Sequence, residues 1–276
     1  MKKIVYALAG AGIVSALLLF ALLFAGFFYT LSKADDGVIL NLLSLVWKPE
    51  KGHYGIIPML VTSVAIAALA VSIAVPIGFG LLWRIWGYDN ISSKFLRNLL
   101  RFMSGIPTVV YGFCGLIVLV PFLRAFGCGS GFGIASVSLV LSFTILPSFV
   151  LTADSAIYGL MSRSENILLT SGALGLEREK AILYLVFYVC RKQIAAGGVL
   201  AFGRALGDTL IALMISGNAP VMPDGLFSPV RTLAAHISLL TAVEINTEIE
   251  LSMLMAGITL MLLAVCMSIL IRILQK

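Results

Sequence analysis

Residues 56–83 read Ile56-Ile57-Pro58-Met59-Leu60-Val61-Thr62-Ser63-Val64-Ala65-Ile66-Ala67-Ala68-Leu69-Ala70-Val71-Ser72-Ile73-Ala74-Val75-Pro76-Ile77-Gly78-Phe79-Gly80-Leu81-Leu82-Trp83, without one charged side chain. A helix that crosses a bilayer needs about 20 mostly apolar residues, and this run exceeds that length. Five more stretches qualify or come close: residues 4–31, 102–123, 134–151, 194–215 and 251–274. The stretch 134–151 is the shortest and contains Pro147, so its ends are the least defined. The expected fold is all-α, a polytopic membrane protein with about six transmembrane helices.

Composition agrees. The chain has 276 residues, 60% hydrophobic and 12% charged. A soluble domain carries roughly 25% charge, so this chain lacks the polar surface of a water-soluble enzyme, a disordered protein or a disulfide scaffold. The net charge of +6 is read as the basic excess that membrane proteins keep on their cytoplasmic side. No nucleic-acid partner is expected. Cys114, Cys128, Cys190 and Cys266 have no metal-ligand or disulfide spacing and read as small buried thiols.

Lys2 and Lys3 precede an apolar run longer than the 7–15 residues of a signal core, so the run reads as a retained first span. With both termini inside, only Lys33, Lys48, Lys51, Arg124 and Arg231 face outward. The remaining basic residues apart from Arg204 face the cytoplasm, as the positive-inside rule requires. Three connections are long: 32–55 and 216–250 outside, and 152–193 inside.

Enzyme signatures are missing. There is no GxxxxGK[ST] phosphate loop, HExxH, GxSxG or Cys/His cluster, so no catalytic residue, metal ligand or cofactor is expected on this chain. His53 and His236 each stand alone in an outer connection and read as solvated loop residues.

The sharpest signal is Gly203-Arg204-Ala205-Leu206-Gly207-Asp208-Thr209, within an apolar stretch. Each charge at mid-bilayer costs at least ~2.5–3.5 kcal/mol on insertion scales. Arg204 and Asp208 are four apart, so on a continuous helix they share a face and pair. One reading is an ion pair that only fixes helix packing. The other is an anion site lining a path, with a permanently charged fork of donors matched to oxyanions. On the second reading the acidic neighbour keeps binding weak enough for release. Gly203 and Gly207 repeat at the same spacing and suit close helix approach.

Ser104-Gly105-Ile106-Pro107-Thr108-Val109-Val110-Tyr111-Gly112-Phe113 opens the third span with glycine, proline and hydroxyls. This fits an interrupted helix exposing polar groups to a cavity, or a helix that starts at Pro107. Residues 84–101 form a basic stretch with Ile91, Phe95, Leu96, Leu99 and Leu100 at helical spacing, read as an interfacial helix on anionic lipid. Residues 169–182, Leu169-Thr170-Ser171-Gly172-Ala173-Leu174-Gly175-Leu176-Glu177-Arg178-Glu179-Lys180-Ala181-Ile182, fit a short amphipathic helix capped near Gly175 beneath the membrane.

These motifs resemble the PstC-type permease subunit of bacterial phosphate ABC importers, in the MetI-like superfamily of type I importers. The resemblance runs from about Gly55 to the end. It rests on Gly55-Ile56-Ile57-Pro58, on Ser104 to Phe113 beside the family's AGIPSVVYGF, and on Gly203 to Thr209 beside GRALGET. Met214-Ile215-Ser216-Gly217-Asn218 and Arg231-Thr232-Leu233 match MVAGN and RTL, which favour the PstC type over the PstA type. Beside the first helix and extracytoplasmic loop read over 1–55, it implies a permease domain over 56–276 with a cytoplasmic coupling segment at 160–192.

The resemblance further implies a substrate path along Arg204, Asp208, Thr209, Ser104, Thr108 and Tyr111. It implies contacts of Leu169, Thr170, Ser171, Gly175 and Glu177 with an ATPase. Leu169, Thr170 and Ser171 replace the usual Glu-Ala-Ala, Tyr188 stands where a proline is usual, and Asp208 replaces glutamate, while Gly175 matches. Implied partners are a sister PstA-type permease subunit, two ATPase subunits carrying ATP and Mg, an extracytoplasmic phosphate-binding protein and the lipid bilayer. The implied place is the bacterial inner membrane. Alternatives are permeases for phosphonate, molybdate or sulfate, and an ion-gradient-driven secondary transporter, which often shows inverted repeats.

Overall fold

A computed structural model of the chain describes residues 18, 20–32, 41–88, 91–163, 171–184, 188–242 and 247–275. Its helices, in chain order, are α1 (Phe20–Leu31), α2 (Ile57–Gly87), α3 (Ile91–Gly105), α4 (Thr108–Ala125) and α5 (Ile134–Arg163). They continue as α6 (Arg178–Tyr184), α7 (Arg191–Leu206), α8 (Leu210–Ile215), α9 (Leu233–Leu240) and α10 (Thr247–Gln275). A two-stranded hairpin, β1 (Trp47–Lys48) and β2 (His53–Tyr54), lies before α2.

Four helices are long and apolar enough to cross a membrane, and they fall on the expected second, third, fourth and sixth spans. Of the expected first span, residues 4–17 and 19 lie outside the described residues, and α1 is the part that is described. The third span begins at Thr108 rather than Phe102. Pro107 has ψ 140, an extended conformation that no helix contains, so α3 ends at Gly105 and α4 starts afresh. The fourth runs past residue 151 as far as Arg163, with Pro147 buried inside it.

The expected fifth span is two helices. α7 ends at Leu206 and α8 begins at Leu210, separated by Gly207-Asp208-Thr209. At 1.5 Å per residue the two pieces together rise about 33 Å, still enough for a hydrocarbon core of about 30 Å.

α5 is the central element: its membrane-length stretch is 78% buried within the chain, against 11% for α10. Ile66 and Leu82 of α2, Leu141, Ile145 and Phe149 of α5, Ile194 of α7 and Ile211 and Ile215 of α8 form the main core. Lipid is as apolar as these side chains, so dispersion contacts between close-packed helices hold them together. α10 presents most of its surface outward, to lipid or to another subunit.

Of the stretch 84–101, residues 84–87 end α2 and 91–101 lie in α3, which is amphipathic as the spacing predicts. Its apolar Ile91, Phe95 and Phe102 are 88%, 66% and 70% exposed, while Ser93 and Leu100 are buried. Ser93 Oγ donates to Arg84 O at 3.2 Å, which ties the start of α3 to the end of α2.

A smaller outer core joins Leu42, Trp47, Tyr54, Ile56 and Met59 to Leu233, Leu240, Ile249 and Leu251. The hairpin pairs Trp47 with Tyr54 and Lys48 with His53. Its return strand depends on Gly55, where an added Cβ would lie 2.1 Å from Ser44 O, a backbone atom that cannot step aside. Gly55→Val is therefore expected to cost about 2 kcal/mol through overpacking. A melting temperature equal to wild type in the detergent-purified protein would contradict this.

His236 overturns its expected place in solvent. It is fully buried on α9, with the Trp47 ring centroid 4.4 Å from its own. Arg231 Nη1 lies 3.5 Å from Nδ1, and an arginine can only donate, so Nδ1 accepts and the Nε2–H donates to Ser252 Oγ at 3.4 Å. Burial first, and then the Arg231 charge, push the His236 pKa down to about 3. An unfolded histidine titrates near about 6.5, so its stabilising share is complete above that pH and drains away as the pH falls toward the folded value. Between those limits the slope is at most about 1.4 kcal/mol per pH unit. Melting scans from pH 7 to 4.5 should fall less steeply for His236→Gln than for wild type; parallel curves refute the assignment.

The four cysteines are free, and only Cys190 is buried; Cys114 and Cys266 are exposed. The expectation of buried thiols thus holds for Cys190 and fails at the helix faces that carry the other two.

Candidate functional site

The break between α7 and α8 is built by two neighbouring signals. Gly207 closes α7, its N–H donating to Gly203 O at 3.2 Å. Asp208 then opens α8: its carboxylate accepts the Ile211 N–H at 2.9 Å, satisfying a donor at the new helix start. Thr209 occupies the capping position of α8 without a side-chain cap, and its carbonyl accepts the Leu213 N–H.

This geometry changes the expected relation of Arg204 to Asp208. The helix stops two residues after Arg204, so Asp208 leaves the face that a continuous helix would give it. Arg204 Nη1 donates instead to Ser148 Oγ on α5. Among the described residues Arg204 and Asp208 do not form an ion pair. Asp208 lies at the start of α8, which packs against the α4 helix that carries Tyr111. A direct Arg204–Asp208 bridge is thus replaced by a loose constellation of Arg204, Ser148, Asp208 and Tyr111. Sequence reasoning missed Ser148 because it sits 56 residues away, beside Pro147.

The start of α4 faces the same region. Gly112 packs against α8, and an added Cβ there would lie 2.8 Å from Met214 Sδ and 3.4 Å from Ile211 Cα. Tyr111 O–H donates to Met103 O at 3.0 Å, bridging the α3–α4 interruption. Thr108 is half-buried at the first position of α4. Ser104 lies on α3, not in the span, and its hydroxyl turns back to Arg101 O at 2.7 Å. Ser104 is therefore separated from the others by the break at Pro107. Gly115–Leu119 within α4 is π-helical, a distortion frequent at functional sites.

Arg204 is exposed, as is Gly207. An arginine facing hydrocarbon would be too costly, so this side of α7 faces water or another protein chain. α10 packs along α7, but neither glycine is required for it. A Cβ on Gly203 would meet Met267 at 4.0 Å, an ordinary contact, and one on Gly207 would meet only the Gly203 and Arg204 carbonyls. A groove of about 300 Å³ lies between the two helices, lined by Gly203, Leu206, Gly207 and residues of α10.

In the expected coupling segment Leu169 and Thr170 lie outside the described residues. From Ser171 the backbone forms a helix end closed by Gly175 at φ 76. Gly175 N–H donates to Gly172 O at 3.0 Å and Leu176 N–H to Ser171 O at 2.9 Å, the paired bonds of a Schellman cap. Glu177 pairs with Lys180 at 3.1 Å, both well exposed and worth little. Leu174 and Leu176 are exposed on either side of the glycine. α6 packs back through buried Ala181 and Ile182.

Among the described residues no group of His, Cys, Asp or Glu has the arrangement of a metal site. A bundle of membrane-length apolar helices, with a broken helix carrying charge through its middle, is the architecture of a polytopic membrane protein.

No family model matches the chain. The chain is 32% identical over 241 residues to the probable ABC transporter permease protein YqgH of Bacillus subtilis, covering 85% of this chain and 77% of that protein. It is 26% identical over 281 residues to the phosphate transport system permease protein PstC of Mesorhizobium japonicum, covering 91% and 83%. It is 29% identical over 221 residues to PstC of Haemophilus influenzae, covering 71% and 68%. The chain belongs to the ABC transporter permeases.

Proposed function

We propose that the chain is the PstC-type subunit of an ATP-driven phosphate importer in a bacterial inner membrane, with both termini in the cytoplasm. The observation that carries this reading is Arg204, an exposed guanidinium on the broken α7–α8 helix, tethered by neutral Ser148 and unneutralised by Asp208. A guanidinium so held offers donors to a passing oxyanion, and the nearby carboxylate limits how tightly it binds. The names of the PstC relatives support phosphate as that oxyanion.

The chain carries a path and no chemical step. A sister PstA-type subunit covers the open Arg204–Gly207 side of α7 and completes the path. An extracytoplasmic binding protein delivers phosphate to the outer connections. Two ATPase subunits, holding ATP and Mg, receive the segment around Gly175. The exposed Leu174 and Leu176 on a Schellman-capped turn suit a groove in such a subunit. Closure of the ATPases shifts this segment, and the shift reaches the core through α6 and the α2 helix it packs against, and from α2 to α5. The path then alternates between inward- and outward-open states, each ligand biasing the state it fits better.

The test is purification of the complex and ATP-dependent uptake of labelled phosphate in liposomes. Arsenate, sulfate and molybdate serve as competitors. ATP-dependent phosphate uptake blocked only by the closest analogue supports the reading. Uptake driven by an ion gradient without an ATPase, or preferential uptake of sulfate or molybdate, overturns it.

A further inference from the structure

Arg231 is a second half-buried cation, on the outer side, that the path around Arg204 does not use. Its Nε donates to Asn218 O at 2.8 Å and its Nη1 faces His236 Nδ1 at 3.5 Å. Both partners are neutral and both are fixed. Asn218 sits at φ 54, after Gly217 at φ 84, and its Nδ2 donates to Leu213 O at 2.7 Å. His236 is held by Ser252 and Trp47. The third nitrogen, Nη2, makes no hydrogen bond among the described residues and is not sealed from solvent. No carboxylate pairs with Arg231 among them.

Burying a charge without a counter-ion is costly, so a rigid guanidinium with two neutral anchors and one open edge is an incomplete ion pair. Its surroundings are basic. Trp47, Lys48, Glu50, Lys51 and Pro220 line an outer cavity of about 400 Å³, with two lysines to one carboxylate. Arg231 does not line this cavity but is linked to its wall: Trp47 touches His236, which faces Arg231, and Pro220 follows Asn218, which accepts from Arg231, by two residues. Asp224 lies exposed on the same connection. α8 links the two arginines: it starts at the Asp208 break and ends at Ile215, one residue before Ser216 and the Gly217–Asn218 turn.

We propose that Arg231 is an outer acceptor site for a tetrahedral oxyanion, which takes inorganic phosphate from the delivering protein before it reaches Arg204. The inference rests on the phosphate reading above. Lys48 and Lys51 raise the local anion concentration at the mouth, and Arg231 captures the anion with a pre-oriented donor. The anion then moves along α8 to Arg204. No bond is made or broken.

The complete transporter in liposomes tests this, with phosphate moved and ATP hydrolysed measured together. For Arg231→Gln, phosphate moved per ATP is expected to fall about tenfold, the scale of one lost charge-assisted contact. ATP hydrolysis stimulated by the loaded binding protein stays within about twofold, because docking and coupling are untouched. Arg231→Lys, which keeps the charge, recovers at least half of the ratio lost in Arg231→Gln. An unchanged ratio in Arg231→Gln overturns the proposal. So does an equal fall of transport and ATP hydrolysis in both variants with a lower melting temperature, which marks a structural role. If the wild-type complex moves no phosphate, the phosphate reading itself fails. If it does, through Arg204, while Arg231→Gln matches it, only the acceptor site fails.

Discussion

Arg204→Ala is expected to lower phosphate uptake on the order of 100-fold, about 2.7 kcal/mol at the transport barrier, with normal amounts of protein in the membrane. The size follows from the surroundings. Arg204 is the only basic side chain in the 194–215 stretch. Nothing nearby replaces its charge once alanine is there, and Asp208 is left as an uncompensated repulsion for an anion. Arg204→Lys keeps the charge but loses the planar fork, and about tenfold of the loss should remain. Ser148→Ala removes only the tether, so its effect should be a few-fold at most. Asp208→Asn separates charge from capping, since the amide oxygen still accepts the Ile211 N–H. Uptake by Arg204→Ala above half the wild-type rate would remove Arg204 from the path.

The spans were legible because hydropathy over 20 residues is a long signal that no single residue spoils. The interfacial α3 was legible for the same reason, as Ile91, Phe95, Leu96 and Leu99 repeat at helical spacing. The break at Gly207-Asp208-Thr209 was written in the same letters as a continuous helix. A four-residue spacing of opposite charges fits an intact helix, yet glycine followed by aspartate is also a stop and a new cap. Local spacing does not choose between them; the packing of α8 against Gly112 does. Ser148 and the buried His236 were illegible because Arg204 and Trp47, which meet them, come from distant parts of the chain. His236 alone needs Trp47, Arg231 and Ser252 to be buried without cost.

Asp154 shows the same limit and carries the largest expected effect on stability. The sequence reading passed over it, yet it joins three helices, α2, α3 and α5. Arg97 of α3 donates Nε to Oδ2 at 2.9 Å and Nη2 to Oδ1 at 3.0 Å, a two-pronged pair. Trp86 Nε1 of α2 donates to Oδ1 at 2.8 Å, and the Arg97 guanidinium lies 5.6 Å from the Trp86 ring centre. The side chains of Arg97 and Asp154 are 28% and 13% exposed, so water screens them only in part.

Removing one member of such a pair leaves the other charged and unsatisfied, which costs about 3–5 kcal/mol for a buried pair. Partial exposure places Asp154→Ala at the lower end, about 3 kcal/mol, or roughly 6–12 °C in melting temperature for a chain of this size. α3 has few other polar ties to α5, so its exposed Lys94 and Arg101 should also be cut faster by trypsin. The decisive comparison is Arg97→Leu combined with Asp154→Leu. Removing both charges leaves no orphan, so the double variant should be more stable than either single one. A double variant whose loss equals the sum of the singles would show that the two side chains act independently, and α3 would then be held by its apolar face alone.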